Sequence, residues 1–345
     1  MSNAAENPPA ARRPAFRVER WNRISILATS AVAAAVVAFA LVPLALDTNA
    51  VDKLTTLFVY LILAAMWNAL AGYAGLVSVG QQAFFGLGAY FTIQLANRGV
   101  GVYPAVVLAA LFAGAVAIPT SLFVLRLHGG VFAIGTWVVA EVFHLLVNLD
   151  ESVGGVTGTS LVGLNDYEAG DRARYTYWMT LGATVLLLGA IFALLRSRTG
   201  ASLQAIRDDE EAAASVGVRV LWAKWVVFIL AAIGCGAAGA LWLATSITFQ
   251  PNSYFSVEWT AFMIFMVLVG GLGTFEGPIV GALVFFLVQN QFGAEGVWYL
   301  VGLGSAAVLV AMFLPRGIWG SLEDRLGIQL LPVGYRLRQS HGKKA

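Results

Sequence analysis

Ten apolar stretches run through this chain, most of them long enough to cross a lipid bilayer, and nothing else constrains its fold as much. About 20 apolar residues cross the hydrocarbon core as a helix. The stretches lie at 24–46, 54–72, 79–97, 104–125, 130–149, 176–195, 223–247, 257–271, 278–293 and 297–314. Only 12% of the 345 residues are charged and mean hydropathy is +0.78, too little charge to cover a soluble domain of this size. The expected fold is therefore all-α, a polytopic bundle of about ten transmembrane segments. The stretches at 79–97, 257–271 and 278–293 are short or glycine-interrupted, which makes them candidates for broken or re-entrant helices.

Basic residues test that count independently. With the N-terminus inside, ten crossings leave 17 Lys and Arg on the inner side. Only Lys53, Arg98, Arg172 and Arg174 fall outside. Cytoplasmic segments carry such an excess, and deleting one crossing would reverse it. The expected layout is a cytoplasmic tail over 1–23, a permease domain over 24–314 and a cytoplasmic tail over 315–345. Within the domain, the longest outside loop is 150–175. The first 20 residues, with Pro8, Pro9 and Pro14, read as disordered. The apolar run after them is too long for the core of a cleaved signal peptide.

One charged interruption, 197–222, separates two of the spans. Its centre reads Ala201-Ser-Leu-Gln-Ala-Ile-Arg-Asp-Asp-Glu-Glu-Ala-Ala-Ala-Ser-Val-Gly217. Leu203, Ile206, Ala213 and Val216 fall largely on one side of a helical wheel, acids Asp208 to Glu211 lie elsewhere, and Gly217 is placed to stop the helix. Two readings stay open. The segment is either a solvated connector or a docking helix whose apolar ridge meets a partner at the membrane surface.

Catalytic patterns are close to absent. The chain has no Gly-x4-Gly-Lys-Ser/Thr phosphate loop and no Gly-x-Ser-x-Gly elbow. His128, His144 and His341 are too scattered for a local metal site, and Cys235, the only cysteine, reads as a small buried hydrophobe. An enzyme, a bound cofactor and a nucleic-acid partner are not expected.

Inside the fifth stretch, Glu141 and His144 share a helix face. An ionisable group at that depth should face the bundle interior or a water-filled cavity. It either lines a translocation path or forms a satisfied pair that pins helices together. Glycines cluster at 72–88 and at 270–281, each after an apolar span and before a short helix. Close packing explains most of them, and broken helices near a pathway are the alternative. Gln81 and Gln82, two amides at a span's start, need partners or water. With Gly271 and Gly273 they join Glu141 and His144 as candidate lining residues. The two glycine clusters hint at an internal repeat.

Three segments carry a family resemblance: Gly72-Tyr-Ala-Gly-Leu-Val-Ser-Val-Gly-Gln-Gln-Ala-Phe-Phe-Gly-Leu-Gly-Ala-Tyr90, Leu203 to Gly217, and Val269-Gly-Gly-Leu-Gly-Thr-Phe-Glu-Gly-Pro278. Their order resembles that of branched-chain amino acid ABC transporter permeases of the LivM type, from about residue 55 to Gly320. Where such permeases commonly have a long residue after the glutamate, this chain has His144. Where they have Thr-Gly-Gly, it has Val153-Gly154-Gly155. Relatives resemble permeases for urea and amides too, so the solute stays open.

The resemblance implies a subunit that supplies the path while partner chains use ATP. Two ABC ATPase subunits would engage Arg207, Asp208, Glu210, Glu211 and Gly217, with Leu203, Ile206 and Ala213 of the apolar ridge read above as their anchors. A periplasmic solute-binding protein would deliver the cargo, and a second, homologous permease chain would complete a heterodimer in the lipid of a bacterial inner membrane. The rival readings are a stand-alone carrier or channel for a small polar solute and a purely structural membrane subunit.

Overall fold

The computed structural model describes residues 16–19, 23–164, 167–326, 331 and 336–339. Most of the tail expected to be disordered, 1–15 and 20, lies outside these, as does His341. Residues 16–19 are instead a strand, β1 (Phe16–Glu19).

Each apolar stretch becomes a helix. The first five are α1 (Arg23–Ala45), α2 (Thr48–Ala74), α3 (Gln81–Asn97), α4 (Val102–Val124) and α5 (Gly129–Asn148). A loop of short 3-10 turns with a two-residue strand, β2 (Thr159–Ser160), leads to α6 (Ala169–Arg196). That helix starts earlier than the apolar run implied, because Thr176 and Tyr177 are preceded by a polar first turn. Two short helices follow, α7 (Arg198–Asp208) and α8 (Glu210–Ser215), then α9 (Val220–Ser246). After β3 (Thr248–Phe249) come α10 (Pro251–Tyr254), α11 (Glu258–Gly270), α12 (Gly277–Phe292), α13 (Val297–Phe313), α14 (Gly317–Leu326) and β4 (Arg336–Gln339).

Among the described residues, eight helical stretches are long and apolar enough to cross a membrane. Those at 251–270 and 298–323 each run through two of the helices above. The two remaining apolar helices, α3 and α12, have only 17 and 16 residues. The chain is a multi-pass membrane protein of roughly the expected span number.

Buried α2, α3, α4 and α9 form the centre, and small residues bring them together. A Cβ on Gly88 would stand 1.9 Å from the Gly236 carbonyl oxygen, and one on Gly239 would stand 1.8 Å from that of Phe85. So α3 and α9 touch backbone to backbone. Ala105, Ala109 and Ala113 repeat every four residues on α4 and are fully buried, the spacing that keeps one helix face small. Gly236 would put a Cβ 2.6 Å from that of Ala113. Cys235 is fully buried here, as a small apolar side chain.

Long-range contacts show which helix ends share a face. On one face, Tyr177 Oη donates to the Phe39 carbonyl across 2.7 Å, and β2 pairs antiparallel with β3. There too, Asp150 accepts from Tyr90 Oη and Gln94 Nε2, each at 2.7 Å. The opposite face holds α7 and α8, the α2–α3 loop, the α11–α12 loop and α14. The terminal strands β1 and β4 pair antiparallel, Phe16 opposite Gln339 and Glu19 opposite Arg336. The first and last described segments therefore lie together.

Candidate functional site

The charged interruption is not one helix over 201–217. It breaks at Asp209, whose backbone is extended (φ −160°, ψ 110°) and whose Oδ1 accepts from Ala212 N at 3.0 Å to cap α8. A carboxylate at a helix start satisfies a free N–H and the positive end of the dipole, so the acid that breaks α7 begins α8. Gly217, at φ +88°, ends the segment as expected. At the other end Ser197 alone links α6 to α7, and its Oγ accepts from Gly200 N. A Cβ on Gly200 would meet the Leu195 carbonyl oxygen at 2.3 Å, so the turn needs glycine there.

The expected apolar ridge is not offered to a partner. Leu203, Ile206 and Ala213 are 0%, 4% and 4% exposed within this chain. They clamp α7 and α8 onto the bundle, and full burial of one aliphatic side chain contributes about 1.5–3 kcal/mol. Sequence periodicity grouped Leu203, Ile206 and Ala213 correctly but wrongly added Val216, which is 79% exposed, and it could not say whether that side met this chain or another. The surface left open holds Asp208, Glu211 and Gly217. Val216, 79% exposed, and Leu221 and Trp222 lie beside them.

The four acids also separate into different roles. Asp208 Oδ1 accepts from Arg207 Nε and Nη2, at 3.0 and 2.9 Å. Glu210 Oε2 accepts from Lys224 Nζ at 2.6 Å, and its Oε1 lies 3.6 Å from His128 Nε2. Lys224 is buried at the start of α9 and His128 stands immediately before α5. Glu210 thus ties the segment to two membrane helices, while Glu211 stays on the surface. A lone lysine beginning an apolar helix was the overlooked signal.

Arg207 makes the widest link. Its Nη1 donates to the Gly72 carbonyl at 2.9 Å. A Cβ on Gly75 would lie 3.4 Å from its Cα, and one on Gly273 would lie 3.3 Å from its Nη1. Both glycine loops therefore converge on this one side chain. Asn68, an amide inside an apolar run, completes the junction: Oδ1 accepts from Gly273 N at 2.9 Å and Nδ2 donates to Thr274 O at 2.8 Å. No room exists for a side chain at Gly72, whose Cβ would come within 2.7 Å of Gly273 N. Across the same loop, a Cβ on Gly317 at the start of α14 would stand 2.5 Å from Gly271 Cα.

These placements revise the expected lining residues. Gly273 lies in the junction under Arg207, and Gly271 packs against the start of α14. Gln81 and Gln82 are enclosed in the core: Gln81 Nε2 donates to Ser78 Oγ at 3.3 Å, and Gln82 Oε1 accepts from Thr260 Oγ1. Neither amide reaches the surface of this chain. The segment 75–80 does break the helix run, because Gly75 turns left-handed at φ +68° and Val79 N then donates to Thr136 Oγ1. Thr136 lies seven residues into α5, about 10 Å along it, so α3 starts at depth.

Glu141 does not face the interior of this bundle. Its side chain is 55% exposed, while that of His144 is 16% exposed. Their contact is real, with Nδ1 3.1 Å from Glu141 Oε1. His144 Nε2 also meets Asn252 Oδ1 at 2.9 Å, so the ring joins α5 to α10.

A membrane-spanning helical bundle with a short surface segment clamped beneath it defines a multi-pass membrane protein. The chain belongs to the family of branched-chain amino acid transport system permease components, whose profile matches residues 49–315. It is 30% identical over 315 residues to the high-affinity branched-chain amino acid transport system permease protein LivM of Escherichia coli, covering 83% of this chain and 74% of that protein. The LivM protein of Salmonella typhimurium matches to the same extent. Among solved structures, an inward-facing metal-chelate type ABC transporter superposes at TM-score 0.44 and 17% identity, covering 88% of this chain and 99% of that one.

Proposed function

We propose that this chain is the transmembrane permease subunit of an ABC importer for branched-chain or related amino acids. A periplasmic binding protein delivers the cargo to the face carrying the 150–164 loop. Two separate ATPase subunits dock on the α7–α8 face and hydrolyse ATP, while this chain contributes the path and no chemistry. A second, homologous permease chain faces the exposed side of α5 across the path, and both ends of this chain lie in the cytoplasm. The 17-to-4 basic split supports that orientation.

The observation that carries the reading is the α7–α8 clamp. A connector needs no buried underside, no buried lysine paired to its acid and no arginine reaching both glycine loops. A segment that transmits force needs all of these, together with an open outer surface. On this surface Asp208, Glu211, Val216 and Gly217 meet the ATPase, while Leu203, Ile206 and Ala213 hold the segment in place.

Co-purification of the chain with its ATPases, followed by reconstitution, tests the reading. Hydrolysis should rise when binding protein loaded with leucine, isoleucine or valine is added outside, and labelled amino acid should accumulate. Uptake driven by a solute gradient alone, without ATP, would return the chain to the class of secondary carriers.

A further inference from the structure

An exposed stripe runs along α5 through Ile134, Val138, Glu141 and Leu145 to Leu149, at spacings of three and four residues. The four apolar members are 55% to 78% exposed. Glu141 interrupts them with a carboxylate that is itself 55% exposed. An ionised acid against lipid tails is costly, so this stripe borders protein or water. Glu141 stands twelve residues into a helix about 30 Å long, about 18 Å from its start and in the half nearer the 150–164 loop.

The carboxylate is held rather than loose. Oε1 lies against His144 Nδ1, while His144 Nε2 is fixed by Asn252 Oδ1. The imidazole stacks on Phe255, with centroids 5.7 Å apart and planes 15° apart. Pinning α5 to α10 needs only the His144–Asn252 bond. Glu141 Oε1 takes the ring nitrogen opposite the one that makes that bond. Its second oxygen carries no hydrogen bond among the described residues.

We propose that Glu141 receives the ammonium group of the transported amino acid as it passes α5. His144 and Asn252 are positioning residues, and Val138, Val142 and Leu145 take the apolar side chain. The inference rests on the importer reading above. An ammonium offers three N–H donors, and a charge-assisted bond to a positioned carboxylate is about twice as strong as a neutral one. The surrounding stripe suits an aliphatic cargo, because it offers surface and few competing polar groups.

Two measurements on the assembled, reconstituted complex test this. Glu141→Gln should lower the maximum uptake rate about tenfold or more, the scale of one charge-assisted bond. Complex yield, basal ATP hydrolysis and the concentration of loaded binding protein giving half-maximal uptake should stay parental, and Glu141→Asp should recover part of the rate. Millimolar leucine should also protect Glu141 from a membrane-permeant carbodiimide, read by mass spectrometry. The deaminated analogue 4-methylpentanoate should not protect it. Parental uptake in Glu141→Gln, equal protection by both compounds, or a joint loss of yield and rate that aspartate fails to restore would each overturn the proposal. If the parent complex carries none of the three branched-chain amino acids, the importer reading fails first and is recognised by that result alone.

Discussion

Arg207 Nη1 lies 2.9 Å from the Gly72 carbonyl oxygen, a bond between positions 135 residues apart. It fastens the surface segment to the end of α2 at the point where Asn68 fastens the α11–α12 loop. Arg207→Ala removes a guanidinium that reaches both glycine loops and leaves the Gly72 oxygen without its charged donor. Because the side chain is partly exposed, the loss of stability should be modest, about 1 kcal/mol. The loss of cargo-stimulated ATP hydrolysis should be larger. Arg207→Lys should not rescue it, since one ammonium cannot serve Gly72 and Asp208 with the same fork. Thermal unfolding in detergent and hydrolysis in vesicles separate the two effects.

The Lys224–Glu210 pair gives an asymmetric expectation. Lys224 is nearly enclosed and Glu210 is about one-third exposed, with side-chain exposures of 3% and 35%. Glu210→Ala strands a buried ammonium and should cost about 3–5 kcal/mol. Lys224→Met leaves a carboxylate that water still reaches, so it should cost less. The double variant should be more stable than Glu210→Ala alone, and a thermal-unfolding cycle over the four proteins measures this.

Burial reverses the obvious mutational target for ATPase docking. Ile206→Asp or Ala213→Asp places a charge in the clamp, so the permease itself should unfold more easily and be recovered in lower yield. Val216→Asp, on a side chain 79% exposed, should leave yield and unfolding temperature unchanged. It should weaken co-purification of the ATPase. Normal ATPase recovery with Val216→Asp would move the docking surface elsewhere on this face.

Two carboxyls outside the spans should respond to pH with opposite signs. Hydrogen bonds from Ser152, and then from Tyr90, hold the Asp150 carboxyl below the usual range. Its contribution is therefore present above the ordinary carboxylate pKa and lost as pH falls through the depressed value. Burial pushes Glu276 upward, although Leu331 N donates to it across 2.7 Å. Its stabilising contribution is complete below the ordinary pKa and lost as pH rises through the raised value. Asp150→Asn should flatten the acid limb of a stability–pH curve, and Glu276→Gln should flatten the limb where stability falls as pH rises.

The α3–α9 crossing has no slack. Gly239→Ala would set a methyl 1.8 Å from the Phe85 carbonyl oxygen, so the helices must part. Overpacking of this kind costs about 1–3 kcal/mol, and a rigid backbone neighbour puts it at the upper end. Gly302→Ala, where a Cβ would meet open space, is the control. Unfolding temperature should drop for the first variant only.

The apolar runs made the helices legible, since length alone places a span. They also marked the breaks, because Gly75 and Gly271 both take left-handed backbone at the ends of helices. What the pattern could not give was the partner of each face. Ile206 reads the same whether it packs on α2 or on another protein. Gln82 looks exposed to a path until Thr260, 178 residues later, is seen beside it. Glu141 is the converse case. Periodicity assigned it correctly to one face with His144, but its turning outward depends on how α5 sits at the margin of the bundle. Asn68, Lys224 and Asn252 went unread because a single polar residue near an apolar run has no period to reveal it.

His128 stands immediately before α5, and its Nε2 lies 3.6 Å from Glu210 Oε1 of α8. The start of α5, taken as a rod, therefore stands beside the surface segment proposed above to meet the ATPase. A tilt of about 5° there would swing a point 18 Å higher through about 1.6 Å, more than half a hydrogen-bond length, at the level of Glu141. The rod works as a lever arm whose short stroke at the foot becomes the opening or closing of a gap at the waist.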